Sequence, residues 1–248
     1  KGVYKRGDLK LKPQVGYRWE LMRETRDESW GKGLFDYKKP SFGLEAEYAV
    51  SDKTSVSGAF DWYLIRFPNY RSLESSVAGQ GLGREQAEAR TLDSDNLSWT
   101  LGGSFPTAIP GVRGRLGLNL TQRAFGQQHI VQPNGQLSGE KRSDDIKGVT
   151  GALSWGERLS EDFGLFLTLD AGWTRVDSSQ NHFDAETGNF TSDYYSFEER
   201  TIGPRASVIA GKRRVALGVS YLRVDRLYLS RRAQDAAGTR TNDAMALS

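Results

Sequence analysis

Apolar residues recur at every second position through long stretches of the chain, and a period of two predicts β-strands. One face of a first strand carries Leu9, Leu11, Val15, Tyr17, Trp19 and Leu21. Phe42, Leu44, Ala46, Tyr48 and Val50 mark a second, and Val56, Phe60, Trp62 and Leu64 a third. Leu97, Trp99, Leu101 and Phe105 give a fourth, and Val112, Leu116, Leu118 and Leu120 a fifth. A sixth has Val149, Leu153 and Trp155; a seventh runs from Phe163 through Leu165, Leu167, Leu169 and Ala171 to Trp173. Ile202, Pro204, Ala206 and Val208 form an eighth, Val215, Leu217, Val219 and Tyr221 a ninth, and Met245 and Leu247 open a tenth.

The connections alternate in length. Tight links fall at "SDK" (51–53), "TAIPG" (107–111), "LSED" (159–162) and "GKR" (211–213), and polar stretches near 24–40, 69–96, 131–145, 178–195 and 230–242 separate them. All short turns are thus expected at one end of a sheet and all long loops at the other. Several strands reach ten residues or so, longer than the usual five or six and suited to a tilted bilayer crossing of about nine to eleven.

The opposite face is charged. It carries Lys10, Lys12, Arg18 and Glu20 on the first strand, Glu45 and Glu47 on the second, and Asp61 on the third. Arg113, Arg115 and Arg123 follow on the fifth, Asp170 on the seventh and Arg205 on the eighth. These residues are expected to line a lumen, with opposite charges pairing across strands. Arg223 and Asp225 would join them if a bulge in the ninth strand switches its face. Trp19, Trp62, Trp99, Trp155 and Trp173 fall on the apolar face, where they would form a lipid-facing girdle; Trp30 lies in a long loop. A soluble β-sandwich or lipocalin-like barrel has the same period with its apolar face turned into a core. Periodicity alone does not choose between them.

Composition narrows the chemistry. The 248 residues contain no run of eighteen apolar positions, so no helix is expected to cross a membrane. A mean hydropathy of −0.58 is neutral towards a membrane barrel, because inward polar residues dilute the average. Cysteine is absent, which removes disulfides, thiolate catalysis and cysteine-held metals, and His129 and His182 are the sole histidines. No cofactor or metal is expected. The 34 basic and 31 acidic residues are interspersed without a basic block, so nucleic acid is not an expected partner. The opening "KGVYKRGDLK" has charge but no apolar core segment, and a removed signal peptide or a preceding domain is the expectation upstream.

With its repeated alternating strands, its turns "VSDKTSV" and "ERLSEDFG" and its tail "TNDAMALS", the chain resembles bacterial outer-membrane β-barrels of the porin and export class over nearly its whole length. The resemblance implies an all-β, antiparallel up-and-down transmembrane barrel of about ten strands, spanning 1–248 as one domain or forming part of a larger barrel. It implies an outer-membrane location with long loops extracellular and short turns periplasmic, and membrane lipid and other envelope proteins as partners. Terminal strands of the class end in an aromatic residue; Ser248 is not one, so further residues or strands are expected.

Three functions follow from the resemblance. The first is a conduit for a polar or anionic cargo, such as an exported polysaccharide, contacted by the luminal charges. The second is a sealed anchor whose long loops, including residues 71–91, bind a partner or ligand. The third is a surface protease like the omptins. For it Asp93 and Asp95 in "LDSDN" and His182 and Asp184 in "NHFD" lie in suitable loops, but His-x-Asp reverses the family's Asp-x-His order. Solvated loop acids are the plainer reading, and an enzyme is not the expectation. His129 in "QQHIVQPNG" lacks the serine that a phospholipase-like site needs, the sequons at Asn119 and Asn189 are incidental, and "GQGLGREQ" (79–86) lacks the helix of a phosphate-binding loop.

Overall fold

The computed structural model describes residues 2–23, 25–71, 90–211 and 215–230, and the backbone of 239–247. The strands are β1 (Tyr4–Arg6), β2 (Leu9–Glu20), β3 (Tyr37–Ser51), β4 (Thr54–Ile65), β5 (Ser94–Pro106), β6 (Val112–Val131) and β7 (Leu137–Ser160). They continue with β8 (Phe163–Ser178), β9 (His182–Asp184), β10 (Asn189–Thr191), β11 (Phe197–Ala210), β12 (Val215–Tyr228) and β13 (Thr239–Leu247). All but β9 and β10 join one sheet in the order β1-β2-β3-β4-β5-β6-β7-β8-β11-β12-β13. Every ladder is antiparallel, from β1–β2 through β12–β13. The fold is therefore all-β and up-and-down, and the ten long strands overlap the ten expected segments. Among the described residues no ladder joins the first strands to β13.

The third long connection is a correction. Residues 131–145 were expected to form a polar loop, yet β6 and β7 run for 20 and 24 residues and meet in a turn at 132–136. There Gln132 N donates to Gln136 O at 2.8 Å, and Gly135 holds φ at 78°. Residues 137–145 read as loop because this part of the ladder lacks the apolar alternation from which strands were recognised. "GQGLGREQ", most of the second loop, Lys212 and Arg213 of "GKR", and the side chains of Met245 and Leu247 lie outside the described residues.

The two faces of the sheet differ in kind. Side chains on the first face are Leu9, Leu11, Val15, Tyr17 and Trp19 on β2, opposite Tyr48, Ala46, Phe42, Pro40 and Lys38 on β3. From Leu9 to Trp19 is about 33 Å along the strand at roughly 3.3 Å per residue, or about 25 Å in height at a tilt near 40°, the height of a membrane barrel's apolar band. This face ends sharply towards the long loops. Leu120 gives way to Gln122 on β6, Val149 to Lys147 on β7, Trp173 to Arg175 on β8, Ile202 to Arg200 on β11 and Tyr221 to Arg223 on β12.

Among the described residues nothing covers this apolar face. Among the described residues only Phe125, Val131 and Val176 are buried hydrophobics, whereas Leu116 is 59% exposed and Leu118 51%. The accessible surface is 16,449 Å², against about 11,000 Å² for a compact soluble monomer of this mass. At about 25 cal/mol per Å² of apolar surface, such a face needs a covering medium. A soluble sandwich or lipocalin-like barrel, which would turn these side chains into a core, does not match this burial.

Leu116→Arg, at the middle of the apolar stretch of β6, is therefore expected to cost about 2–4 kcal/mol in lipid vesicles, and Gln122→Arg, past its edge, about 1 or less. Urea unfolding in vesicles measures both. Equal costs within about 0.5 kcal/mol, the usual effect at a water-exposed site, would remove the lipid-covered reading.

Candidate functional site

The second face of the sheet holds the charges, and strand register decides which of them meet. Lys10 stands opposite Glu47, and Lys12 opposite Glu45. Lys12 Nζ lies 2.7 Å from Glu45 and 3.1 Å from Glu47, and Lys10 Nζ 3.3 Å from Glu47. On the next strand Asp61 accepts a bond from Gln14 Nε2 at 3.1 Å. Arg18 pairs with Glu20, which also accepts the Tyr37 hydroxyl at 2.8 Å. Across β2 and β3 the lysine and glutamate charges are thus mutually satisfied, while Asp61 has a neutral partner and Lys39 lies over the Tyr63 ring at 4.0 Å.

Across β6–β11 they are not. Arg123 donates from Nε to Asn96 at 3.0 Å, and Arg113 reaches only the carbonyl of Lys53 at 3.3 Å. Arg205 pairs with Asp170 at 2.5 Å. Arg115 makes no hydrogen bond or ion pair among the described residues. Register sets Ser104, Arg115, Ala152, Asp170 and Gly203 side by side in one row, with Arg205 beside Thr168 in the row next to it. Arg115 and Asp170 are two strand spacings apart, about 10 Å. Arg115, Thr150, Asp170, Thr201 and Arg205 line one cavity of about 400 Å³. Here Arg113, Arg115 and Arg205 face a single carboxylate, and a guanidinium presents a planar donor fork suited to carboxylate, sulfate or phosphate.

The tryptophans gather at the boundary of the apolar face. Trp19 sits opposite Lys38, Trp173 opposite Arg200, and Trp62 and Trp99 opposite Leu97 and Leu120, whose next neighbours across the sheet are Gln122 and Lys147. Trp155 pairs with Val112 at the other end. Its ring lies 3.2 Å from where a side chain on Gly111 would begin, and Gly111 also holds φ at 77°, so only glycine fits that turn.

Arg223 and Asp225 depart from expectation. The β11–β12 ladder keeps one offset from Ile202↔Arg223 through Arg205↔Ser220, so no bulge switches the face. Both residues stay on the apolar side, past Tyr221, bonded to each other at 3.1 Å. They continue a charged collar in which Lys147 and Arg175 hold Asp177 at 3.6 and 2.7 Å, and Arg175 reaches Glu198 at 3.3 Å.

A buried polar cluster at the long-loop end has no signature in the sequence pattern. Asp144 is 2% exposed and takes both arms of Arg142, at 2.8 and 2.9 Å. Gln128 accepts a third bond from the same guanidinium at 3.1 Å. Arg142 is sandwiched between the rings of Phe125 and Tyr195, at 4.4 and 4.7 Å. Its partners come from β6, β7 and the segment before β11, so no local motif announces it. Loops near the same end are tied too: Asp36 accepts from Met22 N at 2.7 Å and from Asn69 at 3.3 Å.

The residues weighed for catalysis are held in structural roles. Asp93 caps Phe67 N at 2.8 Å, and Asp95 pairs with Arg66. His182 stacks on Tyr194 at 4.6 Å. Asp184 accepts the Thr187 hydroxyl at 2.5 Å and the amides of Thr187 and Glu186, and these bonds, the hydroxyl's above all, hold its carboxyl below the usual range. Among the described residues nothing links the two couples, whose strands β5 and β9 are separated by β6, β7 and β8. His129 Nδ1 meets the backbone carbonyl of Ser138 at 2.9 Å, not a serine hydroxyl. Asn119 bonds Ser98 and Thr100 on the polar face, and Asn189 bonds Thr187.

Fold and faces together define a long-stranded antiparallel sheet with one apolar and one charged side. No family model and no curated protein matches the chain. Among solved structures it is similar to a copper transporter, OprC, with 12% identity, a TM-score of 0.48, and coverage of 96% of this chain and 37% of that one. It is also similar to the RagAB peptide importer in its open-open state, with 9% identity, a TM-score of 0.34, and coverage of 96% and 32%. The chain thus spans about a third of the length of either, and these likenesses assign neither family nor cargo.

Asp144→Ala, which strands a buried guanidinium, is expected to lower stability by about 3–5 kcal/mol, and the joint change Arg142→Met with Asp144→Leu to recover most of that loss. Unfolding midpoints of the three proteins in detergent measure it.

Proposed function

We propose that the chain forms the wall of an outer-membrane β-barrel that conducts a polar, anionic cargo. The apolar face lies in lipid, the tryptophans stand at its interface, the long loops are extracellular and the short turns periplasmic. The charged face lines the lumen. One observation carries the cargo class: among the described residues Arg115 is exposed and makes no hydrogen bond or ion pair on that face, close to Arg113 and Arg205, and Asp170 is the one carboxylate among the described residues lining its cavity. Lys10, Lys12, Glu45 and Glu47 are closed on one another and would add structure to the wall, not selectivity. An exported anionic polysaccharide fits such a lining, and so does a small carboxylated or phosphorylated solute.

A barrel of about ten strands has an interior that side chains largely fill. Conduction therefore favours a larger closed barrel in which these strands are one arc. That agrees with the sheet's lack of a closing ladder among the described residues, since an unpaired edge is not tolerated in lipid.

A monovalent ion passing about 7 Å from one charge in water gains roughly 0.6 kcal/mol, or about threefold in local concentration. Arg115→Gln in the full-length protein is therefore expected to lower the anion-to-cation permeability ratio about threefold, read as a shifted reversal potential in planar bilayers. An unchanged ratio would reject the arginine site, and the absence of any conductance would reject the conduit.

A further inference from the structure

The β9–β10 hairpin stands apart from the main sheet and is pinned at its base. Asn181 donates to Val131 O at 2.8 Å, Gln180 to His129 O at 2.9 Å, and Asp193 N to Asn181 at 3.1 Å. Between this hairpin and the ends of β7 and β8 lies a cavity of about 780 Å³. Its wall carries Ser143, Asp145, Arg175 and Asp177, all on the apolar-face parity but past the charged boundary, and the hairpin adds Phe190 and Thr191. The cavity therefore opens on the side of the sheet away from the arginine-rich face.

Seven of its thirteen lining residues are serine or threonine. Two of those are unsatisfied among the described residues: Ser230, 8% exposed, and Thr191 both have buried hydroxyls without a partner there. The carboxylates of Asp145 and Asp193 make no bond among the described residues either, whereas Asp177 is held by Arg175 at 2.7 Å. The unused groups are thus acceptors and hydroxyls, with one half-buried aromatic ring beside them.

We propose that this cavity binds a saccharide that is neutral or carries an amine. Vicinal sugar hydroxyls are donors that a carboxylate accepts, and serine hydroxyls both give and take. The ring of Phe190 offers an apolar surface to the C–H face of a pyranose. The volume lies within the range of about 300–1,000 Å³ that small-molecule sites occupy. Charge settles the class: Asp145, Asp177 and Asp193 face Arg175 alone, so a phosphorylated or carboxylated ligand is repelled. Among the described residues no group of acidic or histidine side chains is arranged to hold a metal ion. The site lies off the charged face, so it stands or falls separately from the conduit.

The test uses the full-length protein in lipid nanodiscs, titrated calorimetrically with maltotriose, chitotriose, the deacetylated glucosamine trimer and glucose 6-phosphate. At least one trisaccharide is expected to bind saturably and glucose 6-phosphate not to. Asp145→Asn with Asp193→Asn, the latter tolerated because asparagine also adopts the φ of 52° found there, should weaken that binding about tenfold or more. Ser192→Trp, which fills the cavity, should abolish it. The unfolding midpoint of each variant should match the parent, and the permeability ratio should be unchanged. Binding by no trisaccharide, binding that survives both changes, or a preference for glucose 6-phosphate would each overturn the assignment.

Discussion

The described residues form one main sheet whose apolar side has no second layer among them to rest on. Folded soluble domains bury one face of a sheet against a helix, another sheet or the same sheet closed inward, and the described residues supply none of these. What holds the chain together laterally is the unbroken series of antiparallel ladders, each long strand bonded to the next long strand, with β8 passing directly to β11. The ladders satisfy the backbone and fix the register, so every second side chain is committed to one face. The uncovered leucines, valines and tryptophans then demand an apolar medium, and the arginines and carboxylates are left on the side where water can enter. In the proposed barrel, orientation in the membrane and the chemistry of the passage would follow from that commitment.

Much of this was legible because strand periodicity is local. Leu97, Trp99 and Leu101 reveal their face without knowledge of any partner, and so do Lys10 and Lys12. The pairs between adjacent strands were partly legible: the tight turn at 51–54 sets the register of β3 on β4, and charge complementarity suggests that of β2 on β3. What failed was whatever depends on distance along the chain. Arg142 reads as one more charge in "KRSDD" because Phe125, Gln128 and Tyr195 reach it from other elements. Residues 137–145 read as loop because a strand outside an apolar medium needs no apolar face. Arg223 reads as inward only if a bulge past Tyr221 switches the face of β12. The ladder instead carries it outward, beyond the point where the apolar face ends.

That outward position has a consequence for how the sheet sits. Lys147, Arg175, Asp177, Glu198, Arg223 and Asp225 form neighbouring pairs in a belt just past Trp173 and Tyr221. Exposed pairs of this kind add little stability, about 0–1 kcal/mol each. Moved into hydrocarbon they would cost far more, since charged side chains at a barrel's midplane cost about 2–4 kcal/mol each. In the proposed membrane setting the belt would act as a stop: the sheet could not sink past it, and the tryptophan row beside it would be held at the interface. Depth is set by a penalty, not by an attraction.

The charged face is divided along the sheet. On β2 and β3 Lys10 and Lys12 are closed on Glu45 and Glu47, so the field of that cluster is short-ranged and largely cancelled. On β6 and β11 the arginines outnumber their carboxylates, and the surplus positive charge sits on one arc. A passage lined in this way has its potential concentrated on one wall, and an anion would track that wall instead of the axis. Discrimination then depends on how closely the solute approaches a few guanidiniums, because the attraction falls with distance and is screened within about 8–10 Å at physiological salt. A wide lumen would weaken the preference by letting solutes pass beyond that range, and a narrow one would enforce it. In the proposed closed barrel, its width and the placement of Arg113, Arg115 and Arg205 would therefore be one physical problem, and selectivity a property of both together.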